Sequence, residues 1–202
     1  MSTLFVISGP SGAGKSVLIR RILDDLQAIR FSVSSTTRGP RPGEIDGVNY
    51  HFISREQFQA DVKSGRFLEY AEFSGNMYGT NRHEFEEAQN LGQDLLLDIE
   101  VQGARQLQEK GIEAVYIFVT PPSFAELERR LRSRGTEDEV AIHRRLRQAV
   151  EDVSHVDRYQ FVIVNDNLEE AYSRLRSIFI AERSRRGRME AALGPILASF
   201  QK

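Results

Sequence analysis

The chain has 202 residues, 40% of them hydrophobic, enough for one sizeable core and a smaller lobe beside it. Its 27 Lys plus Arg against 29 Asp plus Glu leave a net charge of −2, so it has no chain-wide footprint for nucleic acid, and any basic site must be local. The absence of cysteine excludes a disulfide scaffold, a thiolate metal site and a cysteine nucleophile, and the four histidines (51, 83, 143 and 155) lack metal-ligand spacing.

Leu4 to Ser8 is an apolar run that stops at Gly9-Pro10, which predicts a buried strand ending in a turn. From Lys15 onward, Leu18, Ile19, Ile22, Leu23 and Leu26 recur at helical spacing. Between them Gly9-Pro10-Ser11-Gly12-Ala13-Gly14-Lys15-Ser16 matches G-x-x-x-x-G-K-[ST] in the strand–loop–helix setting the motif needs. Glycines let successive N–H groups point into one concavity, and the helix adds its positive end, which makes a nest for phosphates. Lys15 would reach the β and γ phosphates, and the Ser16 hydroxyl would ligate Mg²⁺. The bland alternative is a glycine turn with an exposed lysine.

The stretch from Ser34 to Asp98 breaks the strand–helix rhythm. It opens on the Pro/Gly-punctuated loop from Arg38 to Gly47, then gives strand-like Tyr50 to Ile53 and Phe67 to Phe73 with a hairpin cue at Gly75-Asn76. It is acidic, with six Lys or Arg against eleven Asp or Glu. Arg38, Arg41, Tyr50 and Tyr78 offer two guanidinium forks and two phenols, a set that suits a monophosphate dianion. Alternation puts Phe67, Glu69, Ala71 and Phe73 on one face, so Glu69 sits among apolar neighbours and needs a partner. Guanine offers N1–H and N2–H₂ as adjacent donors for a carboxylate, whereas adenine has no such pair. An ordinary solvated Glu69 is the alternative.

Strand candidates resume at Leu95 to Ile99, Ala114 to Val119 and Phe161 to Val164. They alternate with helical patterns at Val101 to Gln108, Ser123 to Arg132, Glu137 to Val153 and Leu168 to Arg183, which argues for a parallel sheet covered on both faces. Asp98 ends an apolar strand and Glu100 lies two residues on, so both carboxylates face the carboxyl end of the sheet, within reach of Mg²⁺ or its waters. A guanine-reading Asn-Lys-x-Asp segment is missing, which speaks against a signalling GTPase. Glu126 to Arg147 holds seven Arg against five acids and reads as two helices joined at Gly135-Thr136, with Thr136 and Glu139 forming a capping box. On the second helix, Arg145 flanks an apolar stripe of Ile142, Leu146, Ala149 and Val153, and Arg144 points away. Arg174 to Arg188, with six Arg and one acid, reads as a solvated helix end. Overall 23 Arg stand against four Lys (15, 63, 110 and 202), an excess that genomic composition alone can produce. The N-terminus has no leader pattern and no stretch spans a bilayer, so a cytoplasmic protein without membrane or nucleic-acid partners is expected; a homo-oligomer is among the assemblies the sequence allows.

Taken together the chain resembles guanylate kinases over nearly its whole length. The segments that carry the resemblance are Gly9 to Ser16, Phe31 to Arg38, Pro40 to Glu44, Tyr78-Gly79-Thr80, Asp98 to Gly103, Arg130 to Gly135 and Ile163 to Asp166. The resemblance implies an α/β fold in which a P-loop core with a parallel five-stranded sheet flanked by helices spans residues 1–33 and 91–202. An inserted α+β GMP-binding lobe would occupy 34–90, with a helical lid at about 126–155. It further implies ATP contacts from Gly9, Ser11, Gly12, Ala13, Gly14, Lys15, Ser16, Val17, Arg134 and Asn165, the last near the adenine. Ser34, Arg38, Arg41, Tyr50 and Tyr78 would hold the GMP phosphate, with Glu44 ordering that loop. Glu69 and Thr80 would read guanine, and Asp98 would lie near both base and metal. Lys15, Arg38, Arg130, Arg134 and Arg145 would act in transfer, with Mg²⁺ on Ser16 and, through water, on Asp98 and Glu100. The implied activity is Mg-dependent phosphorylation of GMP and dGMP in purine nucleotide metabolism. Two departures stand out: Met77 where many members carry Tyr, and Glu100 where Asp is more usual. A non-catalytic guanylate-kinase-like interaction module and a kinase for another nucleoside monophosphate are the competing readings; the complete phosphate loop and Ser35, often Pro in such modules, speak against the first.

Overall fold

A computed structural model describes residues 2–73, 75–133 and 138–201. In chain order, β1 (Leu4–Ser8) leads through a loop to α1 (Lys15–Asp25) and β2 (Ile29–Phe31). There follow β3 (Ser35–Thr36), β4 (His51–Phe52), α2 (Arg55–Lys63), β5 (Phe67–Phe73), β6 (Asn76–Asn81) and α3 (Arg82–Asn90). The chain then alternates β7 (Asp94–Asp98), α4 (Val101–Glu109), β8 (Val115–Thr120), α5 (Phe124–Ser133), α6 (Glu139–Ser154) and β9 (Phe161–Val164), and ends with α7 (Leu168–Arg183) and α8 (Glu190–Ser199).

Five strands pair in parallel in the order β2-β7-β1-β8-β9, and the remaining four form a second, mixed sheet in the order β4-β3-β6-β5. The central strands are apolar on both faces because helices cover both. Phe5 and Ile7 pack towards α1 and α7, with Phe5 stacked on Phe179 at 3.9 Å, while Leu4 and Val6 pack towards α4. α5 and α6 have a small core of their own in Leu127, Leu131, Ile142, Leu146 and Ala149.

The structure departs from the sequence reading in several places. The apolar stripe of α6 ends at Ala149: Val153 is 43% exposed, and the buried neighbour at the end of the helix is Asp152. The α6 cap is Asp138, whose side chain accepts from the Ala141 N–H at 2.8 Å; Thr136 lies outside the described residues. Phe73 pairs with Asn76, so the hairpin turn lies between them, with Gly75 at φ +80°, and Asn76 already belongs to the strand. Phe67 does not share the face of Glu69. A register shift between the two residues, one extra residue on β5, rotates Phe67 onto Phe58, with ring centroids 4.6 Å apart.

The arginine-rich end is not simply solvated. Asp94, 1% exposed, accepts from the Thr3 N–H at 2.8 Å, Arg183 Nε at 2.9 Å and Arg188 Nη1 at 2.7 Å, tying α7 and the turn beyond it to the start of the sheet. Removing that carboxylate leaves the Thr3 N–H unpaired and, among the described residues, takes the only carboxylate from two guanidiniums, which keep just the Gln27 and Ala28 carbonyls and the Thr3 hydroxyl. Asp94→Ala is therefore expected to cost about 3–5 kcal/mol and lower Tm by about 10 °C. A thermal melt within 2 °C or so of the parent would show the cluster to be solvated instead.

Candidate active site

The phosphate loop runs from the end of β1 to the start of α1. Gly9 adopts φ +143° with its Cα pressed on β8: a Cβ there would stand 2.0 Å from the Val119 carbonyl oxygen. Gly14, the N-cap of α1, has φ +91°, and a Cβ would stand 2.2 Å from the Asn165 amide nitrogen. No side chain caps α1, so its first N–H groups face the loop concavity as anion donors. Lys15 folds back over the loop, with Nζ donating to the Gly9 carbonyl at 2.7 Å. Asn165, buried, donates to the Ala13 carbonyl at 2.8 Å, so it braces the loop from behind. Ser16 is exposed on the first turn, as is Val17 at 51%.

Asp98 closes β7 and Glu100 lies two residues on, beside this loop. Burial pushes both carboxyls up from their usual range, and the Lys15 ammonium opposes it. Their oxygen chemistry, with the Ser16 hydroxyl, fits Mg²⁺, which takes one or two carboxylates and leaves its other positions to phosphate and water. Among the described residues no three His, Cys, Asp or Glu gather into an all-protein cage.

A second cleft opens between the mixed sheet and the end of β7. Seven of the nine residues expected on GMP line it: Ser34, Arg38, Arg41, Tyr50, Glu69, Tyr78 and Asp98; Glu100 and Arg145 complete its rim. The other two stand behind. Glu44 grips the Arg38 guanidinium bidentately at 2.8 and 2.9 Å and accepts from the Arg41 N–H at 2.7 Å, and Arg38 holds the Glu44 carboxyl below its usual range. Arg38 also lies over the Tyr50 ring, 5.3 Å from its centroid, and Tyr50 meets Tyr78 edge-on. Thr80, fully buried, donates its hydroxyl (2.6 Å) and N–H (3.1 Å) to Glu69 Oε1. Burial pushes the Glu69 carboxyl up to about 7, with the Thr80 donors and the Lys110 charge pulling the other way. Met77 turns to the far face of the sheet, beside Phe58 and Tyr70, so its departure from the family pattern does not touch the cleft.

Arginines from α5 and α6 close the approach. Arg145 donates to the Ser11 hydroxyl and lies over Phe73, bridging loop and cleft. Arg130 is held by Glu126 at 2.7 Å and by the Asn165 carbonyl at 2.9 Å. Arg134 lies outside the described residues. Sequence reasoning passed over Gly79 and Ile99 in the lining, and Gly103 behind Glu69. The signal for Gly103 was available, since a glycine inside a helix, here in the first turn of α4, costs up to about 1 kcal/mol and asks for a packing reason.

A glycine loop at the switch of a five-stranded parallel sheet, facing a second cleft rich in arginine and tyrosine, defines a P-loop protein with a separate acceptor site. A family profile described as guanylate kinase matches residues 1–182. The guanylate kinase of Desulfitobacterium hafniense is 47% identical over 182 residues, 90% of this chain and 91% of that one, and that of Rubrobacter xylanophilus is 52% identical over 168 residues, 83% and 88%. The solved guanylate kinase of Anaplasma phagocytophilum superposes with a TM-score of 0.75 at 34% identity, covering 93% of this chain and 89% of that one. The chain belongs to the guanylate kinase family. Among the described residues no helix is long and apolar enough to cross a membrane.

Proposed function

We propose that this chain transfers the γ-phosphoryl group of ATP to GMP, and to dGMP, giving ADP and GDP or dGDP. The observation that carries the reading is a buried carboxylate, Glu69, in the same cleft as Arg38, Arg41, Tyr50 and Tyr78, a cleft that also holds Asp98 and Glu100, the carboxylates on which Lys15 acts. One end of that cleft suits guanine and the other a phosphate dianion. In this reading residues 34–90 form the acceptor lobe and 126–155 the lid.

The GMP phosphate oxygen is already anionic, so in-line attack needs no general base, and alignment and charge neutralisation do most of the work. Arg38, pre-aimed by Glu44, fixes the acceptor phosphate together with Arg41, Tyr50 and Tyr78. Lys15 and the loop N–H groups hold the donor phosphates. Ser16 and, through water, Asp98 and Glu100 would hold Mg²⁺, which when bound neutralises charge on the phosphates. Closure of the lid brings Arg130, Arg134 and Arg145 onto the transferring group and excludes water.

A coupled assay of ADP formation with GMP, AMP, UMP and CMP tests this. GMP should be used with a kcat/KM at least about 10³-fold above the others, because a site built for guanine's donors leaves buried groups unpaired with any other base. No turnover with any acceptor would leave a binding module, and preference for another base would reassign the substrate.

A further inference from the structure

Glu69 sits on β5, an edge strand of the mixed sheet with β6 on one side only. The open side of an edge strand leaves N–H and C=O groups without partners. Here α4 supplies them with side chains. The Gln106 amide behaves as a strand peptide would: its Oε1 accepts from the Tyr70 N–H at 3.3 Å and its Nε2 donates to the Tyr70 carbonyl. Lys110 Nζ donates to the Leu68 carbonyl at 2.7 Å. The two anchors therefore bracket Glu69 in the chain, one residue to either side.

Gly103 completes the contact. A Cβ on Gly103 would stand 2.2 Å from Glu69 Oε2, so only a bare Cα leaves room for the carboxylate. Gly103, Gln106 and Lys110 follow i, i+3, i+7 spacing and share one helical face. Thr80 fixes Oε1 from β6 and Gly103 limits Oε2 from α4, so the plane of the carboxylate is set from two elements. Glu100, two residues after Asp98, is the N-cap of the same helix, which couples the proposed base-reading carboxylate to the carboxylates beside Lys15 through one rigid element.

We propose that the Gly103–Gln106–Lys110 face of α4 sets guanine selectivity from behind the cleft, its three residues acting as positioning residues for Glu69. The inference rests on the GMP reading above and concerns residues that do not touch the nucleotide. Gly103→Ala forces the carboxylate off its seat, and a misplacement near 1 Å is expected to raise KM for GMP about 10²-fold. The preference for GMP over IMP, which lacks the 2-amino donor, should fall with it. KM for ATP and kcat at saturating GMP should stay within about threefold, because the phosphate ends are not moved. Gln106→Leu and Lys110→Met remove the strand anchors and should each raise KM for GMP about three- to tenfold. Lys110→Arg, which still donates, should restore the parent value.

The decisive measurement is a double-mutant cycle of Gly103→Ala with Glu69→Asp, read as KM for GMP and as the GMP/IMP ratio. Shortening the carboxylate by one methylene makes room for the new methyl group, so the two changes should be far from additive. Additive effects, or equal losses with ATP and GMP, would overturn the proposal. Should Gly103→Ala fail to fold, Gln106→Leu and the Lys110→Met/Lys110→Arg pair decide: unchanged GMP and IMP constants overturn it. A parent protein that does not phosphorylate GMP would instead remove the functional reading itself.

Discussion

Lys15→Met is expected to lower kcat by about 10³-fold at saturating ATP and GMP, with the fold intact. Lys15 is the mobile charge of the loop, already poised across its mouth on the Gly9 carbonyl at 2.7 Å. Methionine keeps the length and the apolar stem but removes the charge that would meet the donor phosphates. The change also acts on its neighbours. Asp98 and Glu100 have carboxyls pushed up by burial, and Lys15 is the charge that pulls both back. Without it they rise further. A carboxyl raised in the folded state is protonated in both states at low pH, and its cost appears as pH climbs through the unfolded and then the folded value. The Tm deficit of Lys15→Met against the parent should therefore be larger at pH 8 than at pH 5. Near-normal GMP phosphorylation by a folded Lys15→Met protein would contradict this account of the loop.

Where side-chain pattern and local chemistry agree, the sequence was legible. β1, the loop and α1 announce themselves by an apolar run, glycines and helical spacing in succession, and β9 and α7 match their predicted ranges. β2 and β3 were not legible, being three and two residues long and defined only by pairing with β7 and β6. α2 and α3 carry few apolar residues and are held by isolated anchors such as Phe58 and Ala88. α8 is apolar on every side and contains Pro195, so no periodicity marks it.

The site shows the same division. Side chains that face the cleft were found by their chemistry, because arginine, tyrosine and a misplaced carboxylate are informative by type. Their supports were not. The bulge that turns Phe67 away from Glu69 arises from stacking on Phe58, and the Gln106 and Lys110 anchors depend on how α4 lies against an edge strand. The inward turn of Arg183 and Arg188 depends on Asp94, some 90 positions earlier. Long-range pairing of this kind leaves no trace in a local window.

Glu69 is where stability and function should separate most clearly. On the proposed reading, Glu69→Ala would remove two charge-assisted hydrogen bonds to guanine, and it is expected to lower kcat/KM for GMP about 10³-fold, with most of the GMP/IMP preference lost. Glu69→Gln should do more than weaken binding. An amide presents one acceptor and one donor, which opposes guanine N1–H and matches the N1 acceptor and N6 donor of adenine. Its GMP/AMP ratio should accordingly fall from both ends. Stability should move the other way. Burial pushes the Glu69 carboxyl up to about 7 from an ordinary 4.5, so the folded protein bears a desolvation cost that is absent below the unfolded value and complete above pH 7. That cost is on the order of 2–3 kcal/mol, and Glu69→Gln escapes it while still accepting from Thr80. Its Tm should exceed the parent's by about 5 °C at pH 8, with the gap closing towards pH 5. A variant that loses guanine selectivity and also loses stability at pH 8 would show the carboxylate to be part of the fold's own bonding, with no separate role reserved for the base.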